Sequence, residues 1–354
     1  MTHPDSRDAA ATPPEAHARE LDRLLRETDD VKEIDFLASV DVFRADDASM
    51  STSAAPRNAS MMPDAFYACE RTIAMSYACV RAVHAWTRER VGEEREDVDV
   101  AACALCVNGD HVTAWNARKR RLVRHGVDDD ALRRELAFVS VILSRFPKAP
   151  SAWAHRRWTL TRAALDGACD LASAFDTECC ACDRAVVKKR MNYAAWSHRA
   201  WALGLLKDDW RAVERELTET ETLVKRNVSD HCVMHYRSRV LLYFLNVRGD
   251  ETDVRLAHEI TMIRELIAKY PGHESLWCYH RFVFYEIVCR TTTRNIDYLP
   301  STSDFIEECC DVEKTALLDP TWAEHAGASQ RRFALTFQRF AALVEKNHNA
   351  RLSQ

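Results

Sequence analysis

Glycine is scarce in this chain. There are 8 in 354 residues, where average usage of about 7% would give roughly 25. Sheets and tight turns lean on glycine and proline, so the shortage counts against an all-β fold and favours helices. Charge of one sign is also lacking: the net charge is −5, which leaves no nucleic-acid footprint at the level of the whole chain. No apolar run approaches the ~18 residues of a membrane span. The opening stretch, MTHPDSRDAAATPPEAHARE, lacks the apolar core of a signal peptide. Neither a Ser-His-Asp order nor a phosphate-cradling glycine loop is present. These absences point to a cytoplasmic, reducing compartment. There the 13 cysteines are expected to be thiols, most of them buried as small hydrophobes.

What is abundant is alanine, leucine, arginine and glutamate, all good helix formers. One pattern recurs. The stretches HVTAWNARKRRL (111–122), PSAWAHRRWTL (150–160), NYAAWSHRAWAL (192–203), DHCVMHYRSRVLL (230–242) and ESLWCYHRFVFY (274–285) share an anchor at Trp115, Trp153, Trp196, Met234 and Trp277. The anchors stand 38, 43, 38 and 43 residues apart. An arginine follows three positions later at Arg118, Arg156, Arg199 and Arg237, while the fifth copy has His280 there and Arg281 next to it. A period near 40 residues predicts a stacked array of like units.

Along the chain, residues 1–20 read as a disordered tail. Residues 21–64 read as an N-terminal helix over 21–43 followed by a low-complexity linker. A helical-hairpin repeat domain is expected over 65–348, opening with a long helix that contains Phe66, Ile73, Tyr77, Val80, His84 and Trp86. Within the repeats, LRRELAFVSVILSRF and VRLAHEITMIRELIAKY carry apolar residues at steps of three and four and stop at Pro147 and at Pro271-Gly272. Each unit is therefore predicted to be an α-hairpin. A single hairpin cannot bury its apolar face, so the units stack into an all-α, right-handed superhelix of tetratricopeptide-like hairpins. The segment 291–304 reads as a loop, and Trp322 marks a degenerate last copy that caps the array.

Trp and Arg at i and i+3 share a helix face. One reading is structural: the tryptophan fills the space between hairpins and the arginine bonds carbonyls or an acid of the adjacent unit. The other has the second helices lining a concave side, with His155, Arg157, His198 and Tyr236 facing a partner.

W-x-x-R after a (P/N)-x-Y-x-A lead, repeated about every 40 residues, resembles the protein prenyltransferase alpha subunit repeat. The likeness covers roughly 100–290, and NYAAWSHRAW is nearly the family consensus. RFPKAPSAWAHRRW, VSDHCVMHYR and YPGHESLWCYHRFVFY look most like the type III geranylgeranyltransferase branch. The resemblance implies a crescent of hairpins wrapped around a beta subunit, which holds the zinc and most of the isoprenoid pocket. No cofactor is then expected on this chain itself. It also implies transfer of a prenyl group, a geranylgeranyl in this branch, from its diphosphate to a C-terminal cysteine of a protein substrate.

In relatives one alpha-subunit lysine, five residues before the anchor in P-K-x-x-x-x-W-x-H-R-R, reaches the diphosphate; here it is Lys148. Relatives place a tyrosine two residues later, where this chain has Pro150. The next copy keeps the tyrosine as Tyr193, which the resemblance marks as facing the active site. The alternative from another class is a tetratricopeptide-like adaptor that only binds a protein partner. Its W-x-x-L-G-x-x-Y signature is absent.

Two further signals have duller accounts. Cys103-x-x-Cys106 and Cys179-x-x-Cys182 have metal-ligand spacing but sit in helical patterns, as buried stripes would. The run Arg118-Lys119-Arg120-Arg121 with Arg124 reads as a solvated basic face, or as a contact for an acidic partner.

Overall fold

A computed structural model describes residues 12–27, 31–37, 62, 65–69, 71–93, 95, 97–249, 251–291 and 324–352. These residues are mostly helical. The elements run α1 (Pro14–Glu27), β1 (Glu33–Leu37), β2 (Phe66–Cys69), β3 (Thr72–Ser76), α2 (Tyr77–Arg90), α3 (Val100–Val107), α4 (Val112–His125), α5 (Asp129–Arg145), α6 (Pro150–Leu165) and α7 (Phe175–Lys188). They continue through α8 (Tyr193–Gly204), α9 (Trp210–Arg226), α10 (His231–Val247), α11 (Thr252–Lys269), α12 (Glu274–Thr291) and α13 (Glu324–Leu352). The chain divides into two compact units, Met1–His198 and Arg199–Gln354.

In the first unit the hairpins α3–α4 and α5–α6 lead into α7. Second helices pack on second helices (α4 on α6) and first on first (α5 on α7). Local chemistry sets the breaks. The side chains of Asp99 and Asp128 cap α3 and α5 by accepting from the backbone N–H of Ala102 and Ala131. Past α4 the chain turns at Gly126, whose φ of 78° suits glycine. Pro150 opens α6 at its first position, where a missing N–H costs nothing.

The second unit repeats the design. Asp209 caps α9 and Asp230 caps α10, and α10 packs on α12. Helix α13 closes this unit by setting Phe337 against Trp277, His280 and Phe284. The expected anchor Trp322 and the loop 291–304, apart from Thr291, lie outside the described residues, as does nearly all of the linker.

The N-terminal part departs from the sequence expectations. The tail expected over 1–20 is corrected from residue 14 onward, because α1 starts at Pro14 and buries Ala18, Leu21 and Leu24; residues 1–11 lie outside the described residues. Its polar residues pair with one another, as in Arg19–Glu15 and Arg26–Asp22; that is why a polar stretch is helical. The helix expected over 21–43 therefore ends at Glu27, and residues 33–37 form a strand.

The long helix expected from residue 65 is also corrected. Phe66–Cys69 and Thr72–Ser76 form an antiparallel pair, and β1 joins β3 in parallel with Ile34 opposite Ile73. Helix α2 begins only after Ser76, whose hydroxyl accepts from the Cys79 N–H at 3.2 Å. Ile34, Phe66, Ile73 and Met75 are buried by this small sheet. The all-α repeat architecture thus carries a three-stranded sheet ahead of its hairpins.

Candidate functional site

The repeating residues are best followed from the arginines. Arg118, Arg156, Arg199 and Arg237 are all buried. A buried guanidinium must be paired, and each forks onto one buried glutamate of the following first helix. Arg118 donates through Nε and Nη2 to Glu135 at 2.8 and 2.7 Å. Arg156 does so to Glu178 at 2.6 and 2.7 Å, Arg199 to Glu216 at 2.7 and 3.2 Å, and Arg237 to Glu259 at 2.9 and 2.7 Å. The remaining nitrogen of Arg156 reaches back to the Leu136 carbonyl and the Ser140 hydroxyl, and that of Arg237 to the Leu217 carbonyl and Thr220. One side chain therefore ties two successive first helices together.

Each glutamate accepts a third bond from the residue two past the next anchor. His155 donates from Nε2 to Glu135 at 2.8 Å, and His198 to Glu178 at 2.6 Å. The hydroxyls of Tyr236 and Tyr279 donate to Glu216 and Glu259 at 2.8 and 2.7 Å. Because an ionised carboxylate only accepts, the imidazole Nε2 must carry the proton.

The intervals explain the uneven period. Glutamate to His or Tyr is always 20 residues. Arginine to glutamate alternates between 17 and 22. The five extra residues of the longer repeats therefore lie between one hairpin and the next, where they leave the hub intact.

Burial alone would raise the carboxyl of Glu178, but the hydrogen bond from His198 and the charge of Arg156 outweigh it and hold the group down at about 2. Glu135 and Glu259 are likewise held well below the usual carboxylate range, burial being overcome by Arg118 and by Arg237. Burial pushes His155 and His198 below their usual 6.5, with their glutamates opposing it. For both residue types the folded value lies below the unfolded one. The unfolded chain therefore binds more protons as the pH drops, and stability is lost on acidification. The loss is expected to begin near pH 6.5 with the histidines and to deepen below 4.5 as the carboxylates titrate. Urea midpoints at pH 7, 5.5 and 4 should fall in that order; a midpoint that holds down to pH 4 would contradict the hub description.

The sequence expectation that His155, His198 and Tyr236 face a partner is therefore corrected. Each donates one hydrogen bond to a buried glutamate, and His155 and His198 further pack on the anchors Trp115 and Trp153, at 4.4 and 5.0 Å between ring centres. Arg157 is half-buried and donates to the Ser197 carbonyl at 3.3 Å.

The anchors have their own polar task. Trp115 and Trp153 donate their indole N–H to the carbonyl six residues upstream, at Gly109 and Pro147. Met234 has no such donor, and the Ser275 hydroxyl bonds the corresponding Val228 carbonyl instead. Trp277 turns to Gln330 of α13 at 3.0 Å. At the fifth copy His280 fills the arginine slot; it is buried, which pushes it down to about 3.

Lys148 and Tyr193 behave differently: both are exposed, Tyr193 at 70%. Lys148 sits in the turn between α5 and α6, and Tyr193 opens α8. The two loops are joined because buried Asn192 donates to the Pro147 carbonyl at 2.7 Å. Next to Tyr193 stand exposed Lys189, Arg190 and Met191. This corner therefore offers cations beside exposed apolar surface. The run KKR directly before MNY is the sequence signal for Lys189 and Arg190. Among the described residues no group of three or more His, Cys, Asp or Glu is placed to hold a metal. Cys103, Cys106, Cys179 and Cys182 are buried on α3 and α7, and none of the described cysteines with a placed side chain is in a disulfide. No described helix is long and apolar enough to cross a membrane.

Comparison with known proteins matches the protein prenyltransferase alpha subunit repeat at residues 132–163, 175–206 and 256–287, which are the hairpins α5–α6, α7–α8 and α11–α12. The chain is 34% identical over 235 residues to protein prenyltransferase alpha subunit repeat-containing protein 1 of Danio rerio, covering 53% of this chain and 54% of that protein. Against the Homo sapiens protein of the same name it is 30% identical over 248 residues, covering 56% and 61%. The geranylgeranyl transferase type-2 subunit alpha of Rattus norvegicus is 27% identical over 228 residues, covering 60% and 38%. The chain thus spans little more than half the length of the first two relatives and less of the third.

Proposed function

We propose that this chain, a member of the protein prenyltransferase alpha subunit repeat family, acts as the alpha subunit of a heterodimeric protein prenyltransferase. In this reading it scaffolds a beta subunit and helps bind the prenyl diphosphate. The observation that carries the proposal is the split between two sets of polar residues. The hub residues are buried and bonded to one another, whereas Lys148 and Tyr193 are left at an exposed, cation-bearing corner of the matched hairpins.

The reaction joins a cysteine thiolate of the protein substrate to C1 of the prenyl diphosphate. The sulfur–carbon bond forms as the carbon–oxygen bond breaks, and the electron pair leaves with the diphosphate. A zinc ion on the beta subunit would lower the thiol pKa. What this chain supplies is charge: the Lys148 ammonium faces the diphosphate and neutralises the charge that grows on it. A compact cation on a flexible stem can follow that group as it departs. Tyr193 and the exposed apolar side chains beside it would form part of the wall next to the substrate. A geranylgeranyl group is the proposed cargo, in the manner of the type III branch, and the cytoplasm is the proposed location.

The test is co-expression with candidate beta subunits. A pair that survives size-exclusion chromatography at equal stoichiometry is expected. If every candidate beta subunit fails to co-purify while this chain stays monomeric and soluble, the alpha-subunit reading falls and the adaptor reading replaces it.

A further inference from the structure

The loop carrying Lys148 is held by an unusual concentration of buried contacts. Both acceptor positions of the Pro147 carbonyl are occupied: the Trp153 indole N–H donates at 3.0 Å and the Asn192 side-chain amide at 2.7 Å. Asn192 is fully buried, and Trp153 nearly so. On the other side of Lys148, Ala149 is buried and its N–H bonds the Phe146 carbonyl at 3.0 Å. Pro150 then fixes the start of α6. The lysine side chain is exposed while the backbone on both sides of it is pinned.

Asn192 does a second thing with the other end of its amide. Its Oδ1 accepts from the Ala195 N–H at 3.1 Å, capping α8 at the turn that begins with Tyr193. The two partners settle the amide orientation, since a carbonyl needs the NH2 and a backbone N–H needs the oxygen. One side chain therefore links the peptide before Lys148 to the helix start that bears Tyr193. Aspartate would keep the cap and lose the donor. Serine also caps a helix but is too short to reach across to Pro147. In the repeat anchored at Met234, the Ser275 hydroxyl bonds the matching Val228 carbonyl.

We infer that Asn192 is a positioning residue for Lys148, holding the lysine where it meets the diphosphate in register with Tyr193. The inference rests on the proposed role of Lys148. A misplacement of about 1 Å at a reacting group can cost on the order of a hundredfold in rate, so a lost clamp should register in turnover before it registers in folding.

The experiment is a double-substitution cycle in the co-expressed alpha–beta pair, using Asn192→Ser, Lys148→Ala and both together. It reads kcat and KM for geranylgeranyl diphosphate, with thermal melting of each pair alongside. Asn192→Ser is expected to lower kcat about tenfold in the native background and by less than about twofold once Lys148 is gone. Melting should show the pair assembled throughout. Should Lys148→Ala alone leave turnover unchanged, the reading of the site itself is wrong and the positioning role goes with it. Should Lys148→Ala impair turnover while the Asn192→Ser loss is just as large without the lysine, the site stands and the positioning role is overturned. Asn192→Asp gives an independent check, because it keeps the cap and removes the donor. A full retention of kcat in that variant would also overturn the inference.

Discussion

Glu178→Ala is expected to remove about 3–5 kcal/mol of folding stability. The reason is what the substitution leaves behind. The Arg156 guanidinium is 1% exposed and loses both bonds of its fork, and His198 loses its acceptor. A buried charge without a partner costs far more than the pair contributes when intact. A typical domain has only about 5–15 kcal/mol in total, so the variant should unfold at much lower denaturant concentration or fail to accumulate. Glu214 lies on an exposed face of α9, and Glu214→Ala should change stability by no more than about 0.5 kcal/mol. Chemical denaturation of both variants makes the comparison. A loss below about 1 kcal/mol for Glu178→Ala would place the hub among ordinary surface ion pairs.

Lys148→Ala is expected to do the reverse: little to stability and much to turnover. Its side chain is exposed, so no packing is removed. In the alpha–beta pair, losing one cation that stabilises the leaving diphosphate should lower kcat about a hundredfold, the scale seen when a preorganised donor is deleted. Lys148→Arg keeps the charge but replaces a compact ammonium by a planar fork, and should recover only part of the rate. Single-turnover transfer with each variant pair separates the chemical step from product release. Unchanged turnover in Lys148→Ala would withdraw the lysine from the reaction.

The contrast between these two substitutions shows where the sequence was legible. The anchors and their arginines were visible because they recur at a near-constant period, and the arginines were expected to meet an acid of the adjacent unit or a carbonyl. Both happen, at Glu178 and at the Leu136 carbonyl for Arg156. The glutamates themselves went unnamed, since 54 acidic residues hide four. The constant interval of 20 residues to the next His or Tyr was the signal that would have singled them out.

One reading of the sequence has His155, His198 and Tyr236 face a partner from second helices that line a concave side. A buried carboxylate changes that expectation, because it needs donors and draws them inward. The strands were missed for another reason. β1 and β3 pair across more than thirty residues of sequence, and helical periodicity carries no trace of a partner that distant. Pro14 and the self-paired charges of α1 hid a helix inside a composition that reads as a tail. At the candidate site, Lys148 and Tyr193 came from the family resemblance. The amide of Asn192 that joins their loops was not legible, since an asparagine before a helix usually signals only a cap.

The most direct test of the alpha-subunit assignment is a transfer assay on the purified pair. It uses geranylgeranyl diphosphate, a protein ending in a C-terminal cysteine, and intact-mass spectrometry of that protein. The expected result is a thioether-linked prenyl group on the cysteine when both chains are present, and none with either chain alone. A stable, stoichiometric pair that leaves the cysteine unmodified would contradict the assignment and leave these repeats as a binding scaffold.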